Sequence, residues 1–164
     1  MATSLSVNHD FAASPAAVYA LLTDRAFLQR RLEATGGTDP VVVSLDVAAD
    51  GAKVVTRQAI PASVLPSMVA SLIPGDPVTE RTENWRVDGN GYRADFGVVI
   101  KGAPASLMGT MSLTASGTGS TLKVDGQATV PIPLFGGKIE AVVAEQVDAL
   151  LTKENSYTAT TLAS

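Results

Sequence analysis

The sequence predicts an α+β fold in which seven antiparallel strands form one sheet, two short helices follow the first strand, and a long C-terminal helix lies across the sheet. Three observations carry this. Between Val41 and Val130, runs of period-two apolar residues are separated by turn-forming segments, the pattern of strands joined as a meander. A further alternating run, Leu5 to Phe11, precedes them. At the other end, Ile139, Val142, Val143, Val147, Leu150 and Leu151 recur every three to four residues and mark one amphipathic helix.

Each element has its own local reason. Leu5, Val7, His9 and Phe11 share one strand face against Ser6, Asn8 and Asp10. Ser14-Pro15 then sets an N-cap and a first-turn proline, and Val18, Leu21 and Leu22 follow at helical spacing to about Asp24. A second helix runs from Arg25 to about Ala34, with Phe27, Leu28 and Leu32 inward and Gly36-Gly37 as its stop. Val41, Val43, Leu45 and Val47 alternate up to Asp50-Gly51, a hairpin signal, and Lys53 to Ile60 returns as a strand. After an interruption from Pro61 to Pro77 come strands over Val78 to Val87, Tyr92 to Lys101, Ser106 to Ala115 and Thr121 to Val130. The last helix opens after Gly136-Gly137 and runs to Tyr157 or beyond, about 30 Å, with Glu154 placed off its apolar stripe.

Composition bounds the function classes. At 164 residues the chain suits a single domain spanning 1–164, and 46% hydrophobic residues exclude intrinsic disorder. Only 17% of residues are charged, against about 25% in an average soluble domain, and only 5% are aromatic. A net charge of −4 with scattered basic residues argues against nucleic-acid binding. There is no cysteine and one histidine, so thiolate chemistry and a His-rich metal site are excluded, and no cofactor motif is present. No leader-like N-terminus and no membrane-length apolar run occur, which predicts a cytoplasmic protein.

HDFAASPAAVYALLTD near the start, the lone tryptophan in NWRVDGNGYRADF, and PLFGGKIEAVVAEQVDALL near the end resemble the START-like or SRPBCC superfamily. These are helix-grip proteins, which include the birch-pollen allergen, polyketide cyclases and lipid-transfer domains. The resemblance covers essentially the whole chain through structural motifs, and it looks nearest to an uncharacterised actinobacterial branch with no settled activity. It implies a sheet curled around the C-terminal helix, with a cavity between them for an apolar ligand.

Candidate site residues follow from strand phase. If Trp85 and Val87 point inward, so do Glu83, Arg81 and Thr79; the pair Arg81 and Glu83 either neutralises itself or anchors a polar head group, or the stretch TERTE is instead a solvated face. Arg57 joins them if Val55 and Ala59 are inward. Tyr92, Phe96, Val98, Met111 and Val124 line the expected wall, with Val143 and Gln146 facing it from the helix. Gly109, Gly126 and Ala128 leave space in that wall or ease its curvature. His9 is a general base or a ligand-orienting donor, or else a histidine near a strand end that is bonded to backbone or partly exposed. Within 61–77, Val64, Leu65, Met68, Val69, Leu72 and Ile73 form a stripe suited to a lid, to transient membrane contact through 64–73, or to a dimer contact.

Three functions fit. The first is non-enzymatic binding or transport of a hydrophobic small molecule, lipid or polyketide-like. The second is a cyclase- or hydratase-type enzyme using His9, Glu83 or Tyr92, and the third is a protein-interaction module. A monomer and a homodimer fit equally.

Overall fold

A computed structural model describes residues 2–36, 38–64, 67–71 and 75–163. The strands are β1 (Thr3–Phe11), β2 (Thr38–Ala48), β3 (Gly51–Ala59), β4 (Val78–Asp88), β5 (Gly91–Ile100), β6 (Ser106–Ser116) and β7 (Gly119–Thr129). Helices α1 (Pro15–Leu22) and α2 (Arg25–Thr35) follow β1, a short turn of helix α3 (Ser67–Ala70) lies between β3 and β4, and α4 (Gly136–Ala163) ends the fold. The sheet is antiparallel throughout, in the order β1-β7-β6-β5-β4-β3-β2. The first two strands in sequence are therefore its opposite edges, and α1 and α2 carry the chain between them.

The first helix starts as the sequence predicts, with Ser14 accepting a hydrogen bond from the Ala17 amide (3.2 Å) ahead of Pro15. Asp24, expected only as the end of α1, also caps α2, its Oδ1 accepting from the Ala26 amide (3.0 Å). The end of α2 differs from expectation. Gly36 is extended rather than left-handed, and Gly37 lies outside the described residues. What Gly36 supplies is room, since a β-carbon there would meet Gln58 Oε1 at 3.2 Å and Leu150 Cδ1 at 3.3 Å.

Phe27, Leu107, Leu113, Val18 and Val124 are completely buried. Inward side chains of β1 and β4 to β7 keep the predicted phase except Val87, which is 50% exposed at the end of β4 where the strand runs out past the core. Two strands do not. Register shifts in β2 between Thr38 and Val41, and between Val42 and Ser44, turn Val42 into the core and leave Val41, Val43 and Val47 exposed on this edge strand. In β3 the inward residues are Ala52, Val54, Thr56 and Gln58, so Arg57 faces outward, contrary to the reading that grouped it with Arg81 and Glu83. Arg57 pairs across the outer face with Glu80, Nη2 to Oε2 at 3.1 Å, which draws the carboxyl below its ordinary pKa.

The strand glycines hold no space. A β-carbon on Gly109 would lie 2.8 Å from Phe96 Cε1, and one on Gly126 would lie 3.2 Å from Phe96 Cζ and 2.9 Å from Leu107 Cδ2. Phe96 is the cross-strand partner of Gly109, itself paired with Gly126, so its ring occupies the volume both glycines vacate.

Candidate functional site

Helix α4 packs chiefly on β1, β7 and α2, toward one side of the curved sheet. Opposite β3 to β6 it presents Val142, Val143, Gln146 and Val147, all only half-buried. Short side chains facing a sheet that curves away leave a cavity with two lobes. One, of about 90 Å³, is walled by Val98, Ile100, Ala105, Val130, Ile139 and Val143. The other, of about 310 Å³, is bounded by Thr56, Gln58, Thr79, Arg81, Leu150 and Lys153. Ile60, Thr79, Val98, Gln146 and Val147 line both, so the lobes adjoin.

Below the polar lobe lies a buried charge cluster. Arg81 reaches Glu154 Oε1 through Nη2 (2.8 Å) and Glu83 Oε2 through Nε (3.2 Å). Arg31 approaches the same Glu154 oxygen at 3.5 Å and donates to Thr158 Oγ1 at 3.2 Å. Trp85 Nε1 donates to Glu83 Oε1 at 2.9 Å. Two guanidinium groups thus face two carboxylates, with Glu154 only 1% exposed. Burial opposes ionisation of Glu154, but Arg81 and Arg31 outweigh it and hold its carboxyl below the usual range. Burial likewise works against the charge on Arg81, yet Glu154 and Glu83 raise its pKa. Arg31 is lowered by burial against the attraction of Glu154.

Among the residues expected at the site, Val98, Val143 and Gln146 line the cavity and Arg81 contributes to its polar wall. Glu83 sits behind Arg81, so Thr79, Arg81 and Glu83 of TERTE face inward, while Glu80 alternates to the outer face with Arg57. Phe96, Met111, Val124 and Trp85 are packed in the main core. Tyr92 stacks on Tyr19 (ring centroids 3.8 Å apart), whose own ring meets Trp85 edge-on at 5.9 Å. Burial raises the Tyr19 pKa, with Tyr92 and Asp50 adding to it. His9 is half-buried against Phe11, at 4.7 Å between ring centroids. None of His9, Glu83 and Tyr92 lines either lobe.

Several site residues escape the sequence reading. Glu154 is buried, not off the stripe: Val147, Leu151, Glu154 and Thr158 continue one helical face at four- and three-residue steps. Arg31 falls between Phe27, Leu28 and Leu32 on the buried face of α2. Glu140 is a further buried carboxylate, accepting the Val130 amide at 2.9 Å and tying α4 to the end of β7. In each case the apolar period was the signal and the charge type masked it.

Two segments border the cavity. Ile60 N donates to Pro77 O (2.8 Å) and Ala62 N to Asp76 Oδ1 (2.9 Å), closing the base of the 61–77 segment beside Pro61 and Pro77, which line the lobes. The side chains of the predicted stripe, Val64, Leu65, Met68, Val69, Leu72 and Ile73, lie outside the described residues, and with them the contact expected through 64–73. In the turn entering α4, Leu134 has φ 71° and is 94% exposed, next to the exposed Phe135. Ile132 of the same turn lines the apolar lobe. Among the described residues no helix is long and apolar enough to cross a membrane, and no cluster of His, Asp and Glu is arranged to hold a metal ion.

The fold is a helix-grip fold, a seven-stranded antiparallel sheet set against a long C-terminal helix. TTHA0849 from Thermus thermophilus superposes with a TM-score of 0.58 at 21% identity, covering 95% of this chain and 97% of its own. Ara h 8.0201 superposes with a TM-score of 0.54 at 13% identity, over 96% and 98% of the two chains. In sequence, the chain is 30% identical to Rv0481c of Mycobacterium tuberculosis and to Mb0491c of Mycobacterium bovis, each over 96% of this chain and 95% of the relative. A family model matches residues 6–162, nearly the whole domain, and the chain therefore belongs to the family described as protein of unknown function DUF2505.

Proposed function

We propose that this protein binds a hydrophobic small molecule, lipid or polyketide-like, in the cavity between the sheet and α4, and carries it without transforming it. The observation that supports this reading best is the pairing of an apolar lobe, at Val98, Ile139 and Val143, with an adjoining polar lobe at Thr56, Gln58 and Arg81. A lobe of about 310 Å³ falls at the lower end of small-molecule sites, and apolar burial there contributes roughly 25 cal/mol per Å². Pro61 and Pro77, at the two ends of the 61–77 segment, border this space. The acid–base candidates offer no assembled set of groups in the cavity: Glu83 is held by Arg81 and Trp85, while Tyr92 is stacked on Tyr19.

Binding of the neutral apolar dye N-phenyl-1-naphthylamine tests the proposal. The parent protein enhances its fluorescence saturably, and Val143→Phe, which fills the apolar lobe, weakens binding by about tenfold, or 1.4 kcal/mol. A parent that shows no saturable binding, or a Val143→Phe variant that binds unchanged, refutes the reading.

A further inference from the structure

Within that reading, we infer that the ligand's polar end is an uncharged oxygen acceptor, such as an alcohol, ketone or ester, received by Arg81, and not a carboxylate. The inference rests on how Arg81 is used. Its Nε and Nη2 are committed to Glu83 and Glu154, while Nη1 has no partner among the described residues and, unlike Nε of Arg31, is not sealed off from the cavity that Arg81 lines. That leaves one guanidinium nitrogen uncommitted on a residue that lines the lobe. Its charge, however, is already matched: Arg31 and Arg81 stand against Glu83 and Glu154.

An anionic head group on Nη1 would add a third negative charge beside two buried carboxylates, leaving the cluster unbalanced in a poorly solvated site. A neutral oxygen takes the same charge-assisted hydrogen bond without that cost. The other groups around it are neutral and adaptable. The Thr56 hydroxyl and the Gln58 and Gln146 amides all line this lobe, and each side chain both donates and accepts. Gln58, 8% exposed, lines the lobe, although its Oε1 is enclosed and without a partner. The remaining cation on the lobe, Lys153, is exposed on α4 and its field is screened by solvent.

Displacement of N-phenyl-1-naphthylamine by decanol, methyl decanoate and decanoate at neutral pH tests this, since the tails match and only the head group changes. The neutral compounds should displace the dye at about tenfold lower concentration than decanoate. Arg81→Lys keeps the charge but loses the forked donor, and should erase most of that preference. Gln58→Leu, which leaves the ion cluster untouched, should reduce it and serves if the Arg81 variant does not fold. Decanoate binding as tightly as the neutral pair, in the parent and in Lys153→Gln, overturns the head-group assignment and leaves the cavity reading standing. A dye that never binds overturns both.

Discussion

Replacing Glu154 by Gln removes one charge from the buried cluster and almost no volume, so it isolates the electrostatic contribution. In the parent, Glu154 Oε1 lies 2.8 Å from Arg81 and 3.5 Å from Arg31. After the change, two buried guanidinium groups face Glu83 alone. Removing one partner of a buried ion pair costs about 3–5 kcal/mol, because the surviving charge stays desolvated and unmatched. Against a total of about 5–15 kcal/mol for a typical domain, the variant remains folded with a thin margin. At about 2–4 °C per kcal/mol for a chain of this size, Tm falls by roughly 6–20 °C. Urea unfolding followed by fluorescence suits the assay, since the single tryptophan, Trp85, is buried and bonded to Glu83 of the same cluster. Lys153→Gln, exposed next to it in sequence, is the control and should change stability by less than about 0.5 kcal/mol. A Glu154→Gln loss under about 1 kcal/mol would show that water or rearrangement solvates the cluster, and would refute the reasoning.

The same carboxyl sets an acid limb. Its folded pKa lies below its ordinary value, so its contribution is present above the unfolded pKa and is lost as pH falls through the folded one; unfolding scans below about pH 4.5 should be steeper for the parent than for Glu154→Gln. Gly109→Ala forces a β-carbon against the Asp125 carbonyl and within 2.6 Å of Gly126 Cα, so the backbone must shift, and a loss of about 1–3 kcal/mol is expected by thermal unfolding. Leu134→Gly relieves a left-handed conformation at an exposed site and should raise stability by a few tenths of a kcal/mol up to about 1 kcal/mol; a clear loss would mean that Leu134 packs on something. Arg57→Ala breaks only a partly exposed outer-face pair, and should leave dye binding unchanged and stability within about 1 kcal/mol.

Much of the fold is legible in local chemistry. Ser14-Pro15, Asp24, the glycine-containing turns and the period-two runs each specify a boundary without reference to the rest of the chain, and the elements fall within a few residues of where those signals place them. The α4 stripe through Ile139 and Val143 is equally local, since helical spacing alone puts those residues on one face. What period cannot supply is phase where a strand is irregular, or the identity of a partner. The shifts in β2 moved Val42 inward, and the pairing of β3 with β4 turned Arg57 out and Gln58 in. Glu154 reads as a solvent residue until Arg81, distant in sequence, arrives to neutralise it. Gly109 and Gly126 read equally as vacancies or as points of curvature until Phe96 crosses from the neighbouring strand to fill the volume beside them. Which segments become strands and which become helices is settled by neighbours a few residues away, so the linear order of residues carries that choice. Where the space lies is settled only on folding, because a cavity and a buried charge are properties of surfaces brought together from opposite ends of the chain.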